Sequence, residues 1–299
     1  MLRPINRREF LGTALVVAAV PSVGAQQSSA SLWGGPVLDI HLHLRQTIEG
    51  NVSHIDGSGV AKAVLLTNVN ATDRAKDAVA KYPGRFVRFA SVDVKVPDAV
   101  ALLTQAVKGG ALGFGEIKSQ VEAAGPEMQG LYAAAADLNV PITIHFQEVT
   151  QPGSQGTFNR GLKTFDAMLK KFPRTKFIGH ADAFWANVSA DYAEETSYPT
   201  GRIKPGGVTD RFLGDYPNLF ADMSANSCNN FLNRDPEFAT GFLLRHQDKL
   251  MFGSDCSCPD GSGTVRCIAR ETLTALKKLA PPAVFQKITW ANGHRIIGL

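Results

Sequence analysis

Pro36-Val37-Leu38-Asp39-Ile40-His41-Leu42-His43 is a run of β-formers that stops on two imidazoles. A short apolar run bounded by turn-formers reads as a buried strand. Seven more such runs follow, at residues 61–69, 85–94, 111–119, 141–146, 175–182, 218–225 and 250–257. Between them lie segments with helical spacing, at 73–82, 98–108, 127–139, 158–172, 237–249 and 265–279. Pro83-Gly84, Gly109-Gly110 and Pro173 punctuate the ends of three of these helices. Eight strands alternating with helices or helix-bearing connections predict an α/β chain, a single (β/α)8 TIM barrel. An open doubly wound sheet is the competing architecture, but no Gly-rich phosphate loop follows any of the strands. The connection after strand six, residues 183–207, is extended and mixes Phe184, Trp185, Tyr192, Tyr198, Arg202 and Lys204 with Pro and Gly. Leaving a strand at its C-terminal end, it is expected to form a lid or wall over the barrel mouth.

The chain has 299 residues, 44% hydrophobic and 19% charged, which suits one barrel of roughly 250 residues plus a leader. Asn6-Arg7-Arg8-Glu9-Phe10-Leu11 is a twin-arginine pattern followed by an apolar run to Val20 and the small-residue end Val23-Gly24-Ala25. Residues 1–25 are therefore expected to be a signal peptide directing export to the periplasm, and 26–299 the barrel. Arg3, Arg7, Arg8 and Glu9 account for +2 of the formal net charge of +4. The mixed charge of the remainder points to a small-molecule substrate rather than nucleic acid or, for the mature chain, a membrane. A homo-oligomer is compatible with it. Cys228, Cys256, Cys258 and Cys267 all fall in the last quarter. In an oxidising compartment Cys256 or Cys258 with Cys267 is the nearest disulfide pairing, and buried free thiols are the alternative. Cys-x-Cys spacing lacks the second pair that a structural zinc site needs.

In a barrel the C-terminal strand ends form the active face, so polar ligand-type residues at several of them mark a site. His41 and His43, at i and i+2, share one strand face. Asp39 has the same parity and is expected to support one of these histidines from behind. His145 ends strand five, His180 ends strand six and Asp255 ends strand eight, each after an apolar run. Imidazoles and a carboxylate converging in this way suit a divalent metal such as zinc. Glu116 and Lys118 share a face of strand four. Glu116 is a candidate ligand or bridge, and Lys118 a candidate anchor for an anionic substrate; an internal ion pair between them is the other reading. His54, His246 and His294 read as unrelated to the site.

These residues, in this order, resemble the amidohydrolase superfamily, and in particular its amidohydrolase-related branch of metal-dependent hydrolases and decarboxylases. The phrases Val37–His43, Phe252-Gly253-Ser254-Asp255 and the chain end from Ile288 to Leu299 carry the likeness. The resemblance implies that His41, His43, His145 and Asp255 ligate metal. It makes His180 either a ligand of a second metal or the group that polarises the substrate. Glu116 is similar to a strand-four glutamate that contacts metal in TatD-like nucleases, and Lys118 lies near where other members carry a bridging carbamylated lysine. One or two metals are therefore both open. The implied chemistry is attack of metal-activated water on a carbonyl of an amide, cyclic amide, lactone or ester, with Asp255 as proton shuttle. Lys118, Arg202, Lys204 and Trp185 are candidate substrate contacts. Non-oxidative decarboxylation of a small carboxylic acid uses the same ligands and is the alternative. A non-catalytic metal-binding protein is the third reading.

Overall fold

The computed structural model describes residues 30–151 and 156–299, so the twin-arginine segment lies outside the described residues. Eight parallel strands run in sequence order: β1 Leu38–His43, β2 Lys62–Asn68, β3 Phe86–Ser91, β4 Phe114–Ile117, β5 Pro141–His145, β6 Lys176–His180, β7 Leu219–Met223 and β8 Leu250–Phe252. Each neighbouring pair from β1–β2 to β7–β8 is parallel. Just beyond β8 the ring is drawn together by the Asp255 N–H, which donates to the His41 carbonyl at 2.8 Å. All eight predicted strands are present, and the architecture is a (β/α)8 barrel.

The helices are α1 Ala30–Trp33, α2 Ile48–Ser58, α3 Thr72–Lys81, α4 Ala99–Lys108, α5 Pro126–Asp137, α6 Asp166–Lys171, α7 Asp182–Ala186, α8 Val208–Asp215, α9 Ala225–Arg234, α10 Pro236–Arg245, α11 Ile268–Leu279, α12 Pro282–Gln286 and α13 Asn292–Ile297. Local chemistry sets several of their starts. Thr47 caps α2 by accepting from the Gly50 N–H, and Asp235 caps α10 by accepting from Phe238 N–H with Pro236 in the first turn. The helix expected over 158–172 is shorter than its spacing suggested. Phe158 instead pairs with Gln147 through two backbone hydrogen bonds, and the left-handed Gly161 (φ +96°) delays helix onset.

The barrel interior is layered. Its lower part is apolar, built from Leu38, Ile40, Val64, Leu66, Phe89, Ile178, Phe220 and Met251 and packed against Ile296 and Ile297 of α13. A second and larger apolar layer lies between the sheet and the helices, with Leu42, Leu65, Phe114, Ile142, Phe177 and Phe252 among its members. Packing therefore fills the bottom and the flanks. The polar strand-end residues are left to the mouth.

Candidate metal centre

Strand register sets the ligands side by side. His145 and His180 are direct partners across β5–β6. The ring centroids of His41 and His180 lie 4.3 Å apart, those of His145 and His180 5.3 Å, and those of His41 and His43 5.3 Å. Glu116 stands among all of them. Its Oε1 pairs with His145 Nδ1 and lies 3.3 Å from His180 Nε2, while its Oε2 lies 3.6 Å from His43 Nε2. Asp255 closes the other side, with Oδ1 3.4 Å from His43 Nε2 and 3.8 Å from His41 Nε2. The six strand-end residues singled out from sequence thus converge at the barrel mouth. Glu116 takes three imidazoles as neighbours, whereas Lys118 lies over the Phe158 ring, Nζ 5.0 Å from its centroid.

Asp222 was not anticipated. It is the fourth residue of β7, fully buried, and its Oδ2 accepts from His41 Nδ1–H at 2.6 Å and lies 3.3 Å from His180 Nδ1. Ser224 Oγ lies 2.9 Å from the same His180 nitrogen. A carboxylate behind an imidazole fixes its tautomer and turns the opposite nitrogen forward. The signal was legible: a lone carboxylate in the apolar run Leu219-Phe220-Ala221-Asp222-Met223, the same cue that marked Asp255. Gly253 makes room for this arrangement. A Cβ there would meet Asp222 Oδ1 at 2.4 Å and His41 Cβ at 2.8 Å.

Asp39 does something other than expected. The β1–β2 register shifts between Asp39 and Leu42, so the alternation that would have put Asp39 behind an imidazole is interrupted. Its Oδ1 instead accepts from the backbone N–H groups of His41 and Ser254, both at 2.9 Å, holding the ends of β1 and β8 together. Burial pushes its carboxyl up to about 7, against the hydrogen bonds that favour the anion.

The donor set fits a divalent cation. His41 Nε2 and His180 Nε2 are buried without a hydrogen-bond partner, an arrangement that costs free energy unless a cation completes it. His145 gives a second indication. Gln147 donates through Nε2 to the carbonyls of Val149 and Gly156, which orients its Oε1 as the acceptor of His145 Nε2–H at 3.0 Å. His145 Nδ1 then faces the Glu116 carboxylate, a contact that needs either a proton or a metal ion between the two atoms. Burial alone would lower the affinity of His180 for a proton. The carboxylates of Asp222 and Glu116, each 3.3 Å from one of its nitrogens, outweigh it and hold the imidazole up to about 10. Burial opposes ionisation of Glu116 as well, but the imidazoles of His145 and His180 beside it hold it well below the usual carboxylate range. Backbone strain gathers at the same place, with Ala181, Ala225 and Asp255 at φ +81°, +63° and +46° within three residues of the ends of β6, β7 and β8.

A cavity of about 370 Å³ opens over this centre, lined by Lys118, His145, His180, Asp182, Tyr198 and Asp255 among others. A neighbouring one of about 420 Å³, reached past Lys118 and Phe158, is lined by His43, Asn68, Asp93, Lys95 and Glu116. A larger depression, about 680 Å³, lies elsewhere, around Arg266, Arg270 and Lys278, and holds none of the strand-end residues. Of the long connection after β6, Tyr198 reaches the mouth. Trp185 does not: it is fully buried against Phe231 and Phe242, its Nε1–H donating to the Asp222 carbonyl at 3.1 Å. Arg202 pairs with Asp235 and Glu237, and Lys204 with Asp191, on the outer surface. These three residues line neither cavity at the mouth.

The amidohydrolase family model matches residues 47–299. No curated protein matches the chain. Among solved structures the chain is similar to a probable 2-pyrone-4,6-dicarboxylic acid hydrolase from Acinetobacter baumannii, with citric acid bound. Identity is 15%, with 88% of this chain and 99% of that one covered at a TM-score of 0.56. It is similar also to a 5-carboxyvanillate decarboxylase from Novosphingobium aromaticivorans in complex with manganese, 17% identical over 83% of this chain and 79% of that one, TM-score 0.56. A third is a zinc-bound amidohydrolase from Burkholderia multivorans, 11% identical over 89% of this chain and all of that one, TM-score 0.59. At these identities the likeness to the solved structures is one of fold, whereas the family match spans most of the chain. The chain belongs to the amidohydrolase family, an enzyme family acting on small molecules, on a (β/α)8 barrel whose mouth gathers groups able to hold a divalent metal.

Proposed function

We propose that the protein is a metal-dependent hydrolase of a small carbonyl compound that carries an anionic group. The observation that carries this reading is Asp255, a carboxylate that faces the cavity while standing beside the His41–His43 pair. Burial opposes its ionisation, but the charge of His41 and the hydrogen bond and charge of His43 outweigh that and hold it below the usual carboxylate range. It is thus a base in place at the edge of the ligand set. His41, His43, His145, His180, Glu116 and Asp255 would hold the metal, with Glu116 spanning the pairs His41–His43 and His145–His180. A divalent cation held there supplies Lewis acidity and lowers the pKa of water to about 7.

Asp255 accepts the proton of the attacking water and returns it to the leaving group. Asp222 keeps His41 and His180 in the tautomer that points Nε2 at the centre. Lys118, exposed at the border of both cavities, offers its ammonium to a carboxylate of the substrate. Cavities of this size accept small molecules, amides, cyclic amides, lactones and esters included. Purified protein turned over against such compounds and against aromatic carboxylates in ¹⁸O-labelled water tests the reading. Incorporation of the label into product is expected, and release of CO₂ without incorporation would replace hydrolysis with decarboxylation. The twin-arginine leader supports export after folding, with metal already loaded; periplasmic material whose N-terminus is Met1 would contradict that.

A further inference from the structure

A second group of ligands lies outside the barrel mouth. Cys256 and Cys258 sit on the loop after β8, Cys267 at the N-terminus of α11, and His54 on α2. One ligand atom from each lies within 4.8 Å of all the others, and all four residues are buried. From sequence, Cys256-x-Cys258 lacks the second pair of a zinc site because one ligand is remote: His54 is 202 positions upstream of Cys256. The cysteines are free thiols, and Cys256 Sγ and Cys267 Sγ are 3.9 Å apart, far beyond a disulfide bond of about 2.05 Å. Cys258 Sγ and His54 Nδ1 are 3.4 Å apart. Around zinc, bonds of about 2.3 Å to sulfur and about 2.05 Å to nitrogen give tetrahedral edges of about 3.8 Å and about 3.6 Å. The two observed separations lie close to those edges.

We infer that His54, Cys256, Cys258 and Cys267 form a structural zinc site that ties the loop following Asp255 to α2. Three thiolates and an imidazole suit zinc in preference to harder cations, and four protein ligands leave no open position for chemistry. The bound unit would carry one negative charge. Arg45 brings its guanidinium beside it, donating to the carbonyls of Cys258 at 2.6 Å and Cys256 at 3.1 Å. Backbones meet closely at the same junction: a Cβ on Gly57 would lie 1.9 Å from the Asp260 carbonyl oxygen, and one on Gly261 2.1 Å from that of His54. The loop so pinned carries Asp255, and α2 follows the strand that ends at His43. The site therefore fixes the separation of two segments that contribute to the barrel-mouth centre.

Cobalt substitution of the full chain tests this without any mutation. A thiolate-to-cobalt charge-transfer band in the near ultraviolet is expected, and the barrel mouth cannot produce it because it holds no sulfur ligand. C258S and C267S should each remove that band and lower the zinc content of the purified protein by one equivalent per chain, whereas C228S should change neither. The inference is overturned if wild-type protein gives no thiolate–cobalt band. It is equally overturned if the isolated chain carries a Cys256–Cys267 disulfide, seen as two thiols that escape alkylation after denaturation.

Discussion

Asp222 offers the sharpest test of how the centre is held. Its Oδ2 is the acceptor for His41 Nδ1–H, at 2.6 Å, whereas His180 Nδ1 also has Ser224 Oγ at 2.9 Å. Removing the carboxylate therefore costs His41 its orienting partner outright and His180 only part of its support. Loss of an outer partner of a metal-bound histidine lowers affinity by about 10- to 100-fold. Asp222→Asn keeps a carbonyl acceptor but loses the charge, so a rise of about tenfold in the metal dissociation constant is expected, or about 1.4 kcal/mol. Asp222→Ala loses both, and about 100-fold, or about 2.7 kcal/mol, is expected. Competition against a chromophoric chelator reads the affinities, with circular dichroism melts of the metal-free variants to show that the barrel is intact. Wild-type affinity in a folded Asp222→Ala variant would falsify the orienting role.

Metal binding should release protons, because the metal-free centre holds His180 up to about 10 through Asp222 and Glu116 in spite of its burial. Affinity should therefore rise as pH increases towards that value. Calorimetry in buffers of different ionisation enthalpy checks this, and a buffer-independent binding enthalpy would sink it. Lys118→Ala should raise KM for an anionic substrate with little change in kcat. Arg202→Ala, on the outer surface with Asp235 and Glu237, should leave both within about twofold of wild type in steady-state assays. If Arg202 proves the more damaging, the placement of the substrate is wrong. Gly253→Ala should destabilise the fold by about 1–3 kcal/mol, read as a lower Tm, because its Cβ has no space beside Asp222 and His41; an unchanged Tm and unchanged metal affinity would show that the neighbours yield freely.

The strands were legible because each is an apolar run that stops abruptly, and in six of them the stop, or a residue just before or after it, is a ligand type. That one cue located His41, His43, Glu116, His145, His180 and Asp255. Roles that depend on a partner distant in sequence are not read from it. Asp222 carries the same cue in β7, but that it supports both His41 and His180 appears only in the folded barrel. Asp39 was misjudged because parity along a strand holds only while the register does, and β1 shifts in the middle. Their place in a long loop after a strand end points Trp185, Arg202 and Lys204 to the mouth. That loop first turns into α7, which buries Phe184 and Trp185 in the core, and then crosses the outside of the molecule. His54 and the three clustered cysteines come together only through the packing of α2 against the loop after β8.

The proposed chemistry depends on a divalent metal held at the barrel mouth by the strand-end histidines. Anomalous diffraction from crystals of protein purified without added metal tests it most directly. Anomalous density is expected at the mouth, within coordination distance of His41 Nε2 and His180 Nε2 and of the Glu116 carboxylate. A protein that turns over substrate while its anomalous map is blank at that position would contradict it.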